Sequence, residues 1–186
     1  SRVYEGEETK RIKKPGLIHL DPAPHFDLVI IDEAHHLRNG SMEKEKAFAY
    51  KCVHYFCEHA DAVVMLTATP LQTSDDDLYT LLHLLRPDVI IDKQSFELMA
   101  LPNPYISQSA HLVRTAKEDW QNEALEKLNQ VLTTQWGEDI IKRNPLFSKS
   151  RKVLQQDTIT PEERVQLITD IESLHSFNTI INRTRR

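Results

Sequence analysis

Two aliphatic runs separated by a helical repeat constrain the fold of this chain more than any other feature. The runs are "FDLVIID" at 26–32 and "AVVMLT" at 62–67. Such continuous runs are typical of strands that are buried on both faces of a parallel sheet. Between 43 and 60 the apolar residues recur at helical spacing instead. A strand, a helix and a strand with short connections form a crossover unit, which predicts an α/β fold.

Helical patterns follow this unit. The stretch "SDDDLYTLLHLLRPD" at 74–88 begins with a capping serine and with acids that favour a helix N-terminus, and its proline ends the helix. Two longer amphipathic patterns, at 116–136 and 161–176, predict further helices. Thr160 and Glu163 have the spacing of a capping box.

The remaining segments have weaker patterns. Because it contains two prolines, the segment 101–114 is expected to be irregular. The stretch "KRNPLFSKSRK" at 142–152 is expected to be a basic loop, and "FNTIINRTRR" at 177–186 predicts a last strand. The expected organisation is an N-terminal segment at 1–25, an α/β core at 26–91, a mostly helical region at 92–176 and the last strand at 177–186.

Composition limits the possible partners. The chain has 186 residues, 40% of them hydrophobic, which suits one domain or a domain with an appendage. Its net charge of −5 predicts no general attraction to nucleic acid, so DNA binding would need a local basic surface. Two cysteines and the lack of a membrane-spanning run favour a reducing, cytoplasmic setting without membrane contact.

The acidic end of the first aliphatic run is the main candidate site. Asp32 and Glu33 stand where a parallel strand would reach the ligand-binding edge of its sheet. An aspartate there can hold Mg²⁺ through water, and a neighbouring glutamate can deprotonate an attacking water. Thr67 ends the second run, Thr69 follows it, and both would lie beside these acids. A solvated acid pair and a threonine-rich strand end are the alternative interpretations.

Both strand ends carry recognisable motifs. "DEAHHLRN" at 32–39 and "LTATPLQTSDDDLYTLLHLLRPD" at 66–88 resemble motifs II and III of superfamily-two helicase-like ATPases. Within these, they are most similar to the Swi/Snf type and its bacterial RapA-like branch. The resemblance implies a partial RecA-like lobe of the P-loop NTPase class, with parallel strands followed by a helical protrusion. The last ten residues would then be the final strand of the first lobe and the lead into a second lobe.

The resemblance also implies residue roles. Asp32 would bind the Mg²⁺ of the ATP complex, and Glu33 would be the catalytic base. Residues that would couple ATP turnover to DNA engagement are His35, Thr67, Thr69 and Gln72. Arg185 and Arg186 would help to set the junction between lobes, with a solvated basic tail as the alternative.

This chain departs from the family in two respects that bear on activity. The resemblance implies a second lobe with an arginine finger, which this chain lacks, and a phosphate-binding loop in the first lobe. The four glycines of the chain are far apart, so it contains no phosphate-cradling loop of the Gly-x-x-x-x-Gly-Lys-Ser/Thr kind. The resemblance therefore implies a piece of a larger motor that is inactive alone. The whole motor would act on double-stranded DNA, and on RNA polymerase or another DNA-bound protein. The alternative is a catalytically dead, helicase-like module that binds a protein partner.

Three further clusters allow more than one interpretation. The basic stretch could contact DNA phosphates or be a solvated loop; its cations are Lys142, Arg143, Lys149, Arg151 and Lys152. A second cluster resembles a zinc site but would divide between opposite faces of one helix, which favours core packing; it contains Cys52, His54, Cys57 and His59. A metallohydrolase cluster remains an alternative to the ATPase interpretation; it would use Asp32, Glu33, His35 and His36.

Overall fold

A computed structural model describes residues 7–9, 12–14, 16–37, 44–67 and 75–181 of the chain. Residues 7–9, 12–14 and 44–47 are described as backbone only. The chain divides into two compact units, Ser1–Ile91 and Asp92–Arg186. No helix in the described part is both long and apolar enough to cross a lipid bilayer.

The first unit contains the predicted crossover. Its strands are β1 (Glu7–Thr9), β2 (Ile12–Lys14), β3 (Val29–Ile31) and β4 (Val63–Met65), and its helices are α1 (Lys44–Glu58) and α2 (Asp75–Leu85). The first two strands pair antiparallel, whereas β3 and β4 pair parallel with α1 between them in the chain. The predicted α/β class, with parallel strands in a partial RecA-like lobe, is confirmed.

Burial of the parallel pair differs from the prediction. Along β3 and β4, half-buried residues alternate with exposed ones. The exposed fraction of Ile30 reaches 61%. Ile31 and Met65 pack against a small core formed by Ala34, Leu37, Leu81 and Leu84. The expectation of burial on both faces is therefore wrong for the described residues, because this core covers only one face of a two-stranded sheet.

The second unit is helical. Its helices are α3 (Lys93–Ala100), α4 (Asn103–Thr115), α5 (Trp120–Gln130), α6 (Gln135–Asp139), α7 (Pro145–Leu154) and α8 (Pro161–Glu172). The apolar stripes of α4 to α8 meet in one core that includes Val113, Leu128, Phe147 and Ile171. Burial of these stripes is the main favourable contribution to folding of this unit.

Two segments without a clear helical pattern are helices. The predicted irregular segment is α4, which begins with Pro102 at its N-cap and Pro104 in its first turn. Much of the predicted basic loop is α7, where Asn144 accepts a hydrogen bond from the Leu146 amide and Pro145 opens the helix. Proline is tolerated in a first turn because the amide hydrogens there have no intrahelical partner.

The long helix predicted at 116–136 is interrupted. Its first turn starts only at Trp120, after Ala116 and Asp119 adopt positive φ, and a 3₁₀ turn at Val131–Thr133 follows α5. Gly137 then packs so closely that an added Cβ would lie 1.9 Å from the carbonyl oxygen of Val131. Only a residue without a Cβ fits at this position, so the bend that follows α5 requires glycine there.

Of the two predictions for α8 and the segment after it, one is confirmed and one is wrong. Thr160 and Glu163 form the predicted capping box, with hydrogen bonds of 3.2 Å and 2.9 Å. The segment predicted as a last strand is turn at 177–180, where the Ile181 amide donates to the Phe177 carbonyl. Its remaining residues, 182–186, lie outside the described part of the chain.

Candidate active site

The backbone at the carboxyl end of the parallel pair holds the candidate site together. The Leu66 amide donates to the Ile31 carbonyl at 2.8 Å, and the Ala34 amide donates back to the Leu66 carbonyl at 2.9 Å. These two bonds extend the ladder beyond both strands. Residues 32–35 are consequently fixed beside residues 66 and 67.

Asp32 is exposed at this edge. Its Oδ1 atom accepts a hydrogen bond from the Glu33 amide at 2.8 Å, which fixes the carboxylate relative to the backbone. Because Mg²⁺ prefers oxygen ligands and retains much of its water, a solvent-accessible carboxylate in a fixed orientation fits the requirements for such an ion.

Glu33 has a strained backbone. Its φ is 52°, in the left-handed region that costs a residue with a side chain on the order of 1–2 kcal/mol. A 3₁₀ helix at Ala34–Leu37 follows, and its buried residues Ala34 and Leu37 anchor it in the core. The strained backbone therefore sets the direction of the Glu33 side chain. Nothing in the residue types signals it, because glycine is the usual residue at such a φ.

His35 lies between Glu33 and the end of the neighbouring strand. Its Nδ1 atom is 3.0 Å from Oε2 of Glu33 and 3.4 Å from Oγ1 of Thr67. The His35 side chain is 23% exposed and that of Glu33 is 53% exposed. His36 is exposed, and its ring centroid is 4.2 Å from that of His35. The structure thus brings Glu33, His35 and Thr67 into contact, whereas Thr69 and Gln72 lie outside the described residues.

The two metal interpretations gain no support from the described residues. Among them, no three histidine, cysteine, aspartate or glutamate side chains converge as ligands for an ion. Burial, together with the nearby Glu58 charge, raises the pKa of the Cys57 thiol to about 11, so this thiol is protonated at neutral pH. His54 contacts Glu58 at 3.2 Å, and His59 is hydrogen-bonded to the Tyr55 carbonyl at 2.8 Å.

The cations of the basic stretch differ in their surroundings. Lys142 forms an ion pair with Glu138 on the preceding turn. Lys149 reaches Asp170 at 2.7 Å, where the aspartate side chain is only 7% exposed. The Asp170 carboxylate also accepts a hydrogen bond from the side-chain amide (Nε2) of Gln166 at 2.7 Å. Lys149 therefore helps to neutralise a buried charge between α7 and α8.

The other three basic residues of this stretch differ in how far they are exposed to solvent. The Arg151 guanidinium lies 5.8 Å from the centre of the Phe147 ring and is half-buried. Arg143 and Lys152 are exposed. Of the five predicted DNA contacts, these two are best placed to meet a ligand at the surface, and Arg185 and Arg186 lie outside the described residues.

Sequence similarity to known proteins extends over most of the chain. The family described as SNF2-related domain matches residues 14–179. The RNA polymerase-associated protein RapA of Pasteurella multocida (strain Pm70) is 41% identical over 71 residues, which are 38% of this chain and 7% of that protein.

Two further relatives extend this similarity. The RNA polymerase-associated protein RapA of Actinobacillus pleuropneumoniae serotype 5b (strain L20) is 28% identical over 88% of this chain. That of Yersinia pseudotuberculosis serotype O:1b (strain IP 31758) is 27% identical over 73% of it. The matches span 16% and 14% of these two relatives, so the chain corresponds to a small part of their length.

Proposed function

Because the chain belongs to the SNF2-related family, as a RapA-like fragment of the Swi/Snf type, we propose that it supplies catalytic carboxylates to a DNA-stimulated ATPase. The observation that carries the proposal is the contact of Glu33, His35 and Thr67 beside Asp32 at the ends of two parallel strands. Ligands of open α/β sheets bind at this edge.

Each side chain has a distinct proposed task. Asp32, held by the Glu33 amide, would hold a magnesium ion through water. Glu33 accepts the proton of the attacking water, for which its half-exposed carboxylate is suited. His35 and Thr67, with Thr69 and Gln72 from the motif resemblance, link this reaction to DNA engagement. Bound Mg²⁺-ATP would supply the phosphoryl group, and its magnesium ion would supply positive charge that offsets the negative charge of the phosphate oxygens.

This chain alone is proposed to be inactive. It contains no Gly-x-x-x-x-Gly-Lys-Ser/Thr loop, so its own residues lack the lysine and the clustered backbone amides that stabilise charge on the phosphates. The activity is accordingly assigned to the whole protein, acting in the cytoplasm. Arg185 and Arg186 are proposed to contribute to the junction with a second lobe.

The proposed role of Asp32 is tested by its magnesium requirement. In the whole protein, Asp32→Asn should raise the Mg²⁺ concentration for half-maximal ATP hydrolysis by roughly 10–100-fold, as the loss of an outer-shell partner does. The matched control is Asp27→Asn, which removes an exposed aspartate just before β3, at the opposite end of the same strand. Equal magnesium curves for the two variants would contradict a metal-orienting role for Asp32.

DNA and RNA polymerase are the proposed partners. The relatives are named as RNA polymerase-associated proteins, and a DNA-bound polymerase would place both partners together. With the chain's net charge of −5, contact with DNA phosphates requires a local basic surface. The exposed cations Arg143 and Lys152 are proposed to contribute to it.

The proposed DNA surface is tested by charge reversal. Arg143→Glu combined with Lys152→Glu should weaken binding of double-stranded DNA by the whole protein and flatten its salt dependence by about 1–2 units of slope. Lys149 is left intact because its replacement would leave the Asp170 charge without its lysine partner. The control is Glu162→Lys, which reverses the charge of an exposed acidic residue on α8. Unchanged affinity and salt slope in the double variant would remove this surface from the proposal.

A further inference from the structure

A groove lies between α4 and α5 in the helical unit. It is open to solvent and has a volume of about 570 Å³, within the range of about 300–1,000 Å³ that ligand sites have. The wall from α4 includes Gln108, His111 and Leu112, and the wall from α5 includes Glu123, Glu126 and Lys127. None of these residues takes part in the proposed ATPase reaction.

The two walls are held together by buried contacts. Ser109 and Ala124 are fully buried, and the Ser109 hydroxyl donates to the Ala124 carbonyl at 2.9 Å. Both side chains are small, so the backbones of α4 and α5 approach each other closely at this point. The groove is therefore a preformed feature of the surface, and a ligand does not have to order it.

The α5 wall has uncompensated negative charge. Glu123 and Glu126 are exposed, and the Glu123 side chain has no partner among the described residues. Lys127 follows Glu123 by four residues, the spacing that favours an ion pair on a helix. Its Nζ atom donates instead to the side-chain oxygen of Gln130 at 3.3 Å, and the amide of the same side chain donates to Glu126. Lys127 therefore leaves the charge of both acids available to a ligand.

The groove also offers apolar surface. Leu112 is half-buried and packs against the helical core, and the aliphatic stem of Lys127 can cover apolar surface beside it. A groove between two helices that combines apolar surface with an acidic wall fits an amphipathic helix whose polar face is basic. Nucleic acid does not fit, because Glu123 and Glu126 would repel its phosphates.

We propose that this α4–α5 groove binds a basic amphipathic helix of a protein partner. Apolar side chains of that helix pack on Leu112, and its lysine or arginine side chains pair with Glu123 and Glu126. The inference is independent of ATP hydrolysis, since it uses the helical unit alone and no residue of the candidate active site.

The test measures binding of a fluorescein-labelled peptide to the whole protein by fluorescence anisotropy. The probe is a synthetic leucine–lysine peptide with leucines at helical spacing, so that it presents one apolar face and one basic face. Glu123→Lys combined with Glu126→Lys should weaken its binding by roughly five- to thirtyfold, because two favourable charge pairs become repulsive. Added salt should weaken binding to the wild-type protein more than binding to this variant.

The matched control is Glu97→Lys combined with Glu162→Lys. It changes the net charge by the same amount at exposed sites on α3 and α8, and it should leave the affinity within about a factor of two. If lysine in the first turn of α5 prevents folding, the double glutamine variant of Glu123 and Glu126 replaces the charge reversal.

Gln108→Trp tests the groove without a change of charge. Gln108 is exposed on α4, so the substitution should not unfold the unit, and the bulky ring should weaken peptide binding by filling the groove. An unchanged affinity in this variant would overturn the inference, as would a wild-type protein that does not bind the leucine–lysine peptide. Equal affinities of the two double lysine variants would also overturn it, because the two groove acids would then have no special role.

Discussion

Glu33→Gln in the whole protein is expected to lower ATP turnover by about 10²–10⁴-fold while nucleotide binding persists. The amide retains the size of the side chain but cannot accept the proton of the attacking water. Because Glu33 is half-exposed and lies outside the small apolar core, the substitution should not unfold the unit. Single-turnover phosphate release and the affinity for a fluorescent ATP analogue measure the two effects separately.

The control for this experiment is Glu58→Gln. Glu58 is an exposed glutamate at the end of α1 in the same unit, and it pairs with His54 at 3.2 Å. Its replacement changes the net charge equally but should leave turnover within about a factor of two, since surface ion pairs contribute little. A Glu33→Gln protein that retains more than about a tenth of the wild-type turnover would exclude Glu33 as the base.

Phe147→Ala is expected to lower the free energy of unfolding of the helical unit by about 3–5 kcal/mol. Phe147 is 1% exposed and belongs to the core shared by α4, α5, α7 and α8. Truncation leaves a cavity among neighbours that are held by several helices and can collapse only in part. The loss is a large fraction of the whole stability of a domain of this size, so this unit should unfold at a clearly lower urea concentration.

This unfolding can be followed selectively. The chain has two tryptophans, Trp120 and Trp136, and both belong to the helical unit, where they pack against the same core. The urea midpoint of their fluorescence therefore reports on this unit. Val165→Ala on α8 is the control, because Val165 is 66% exposed and its truncation should change stability by less than about 0.5 kcal/mol. Equal midpoints for the two variants would contradict the assignment of Phe147 to the core.

The sequence predicts elements with a strong hydrophobic period well. The crossover and α2 were predictable, since aliphatic runs and leucines at helical spacing leave few alternatives. The helix α4 was not, because Pro102 and Pro104 were interpreted as breakers, although each sits where a first turn tolerates proline. Whether a proline interrupts a helix or starts one depends on the packing of the residues that follow, which for α4 bury Ile106 and Val113.

The candidate site was predictable in position but not in detail. Consecutive parallel strands must end at the same edge, so the proximity of His35 and Thr67 follows from the order of elements. The positive φ of Glu33 and the shared Nδ1 contact depend on side-chain and backbone geometry that residue types do not encode. Likewise, the pairing of Lys149 with Asp170 joins two helices and is invisible in a local charge pattern.

The most direct test of the central claim is phosphate release by the whole wild-type protein, measured as double-stranded DNA is titrated at fixed Mg²⁺-ATP. The proposed function predicts hydrolysis that rises with DNA to a plateau and is lost in Glu33→Gln at every DNA concentration. Hydrolysis that is absent throughout the titration, from protein that binds its partners normally, would contradict it and would favour a helicase-like interaction module without catalytic activity.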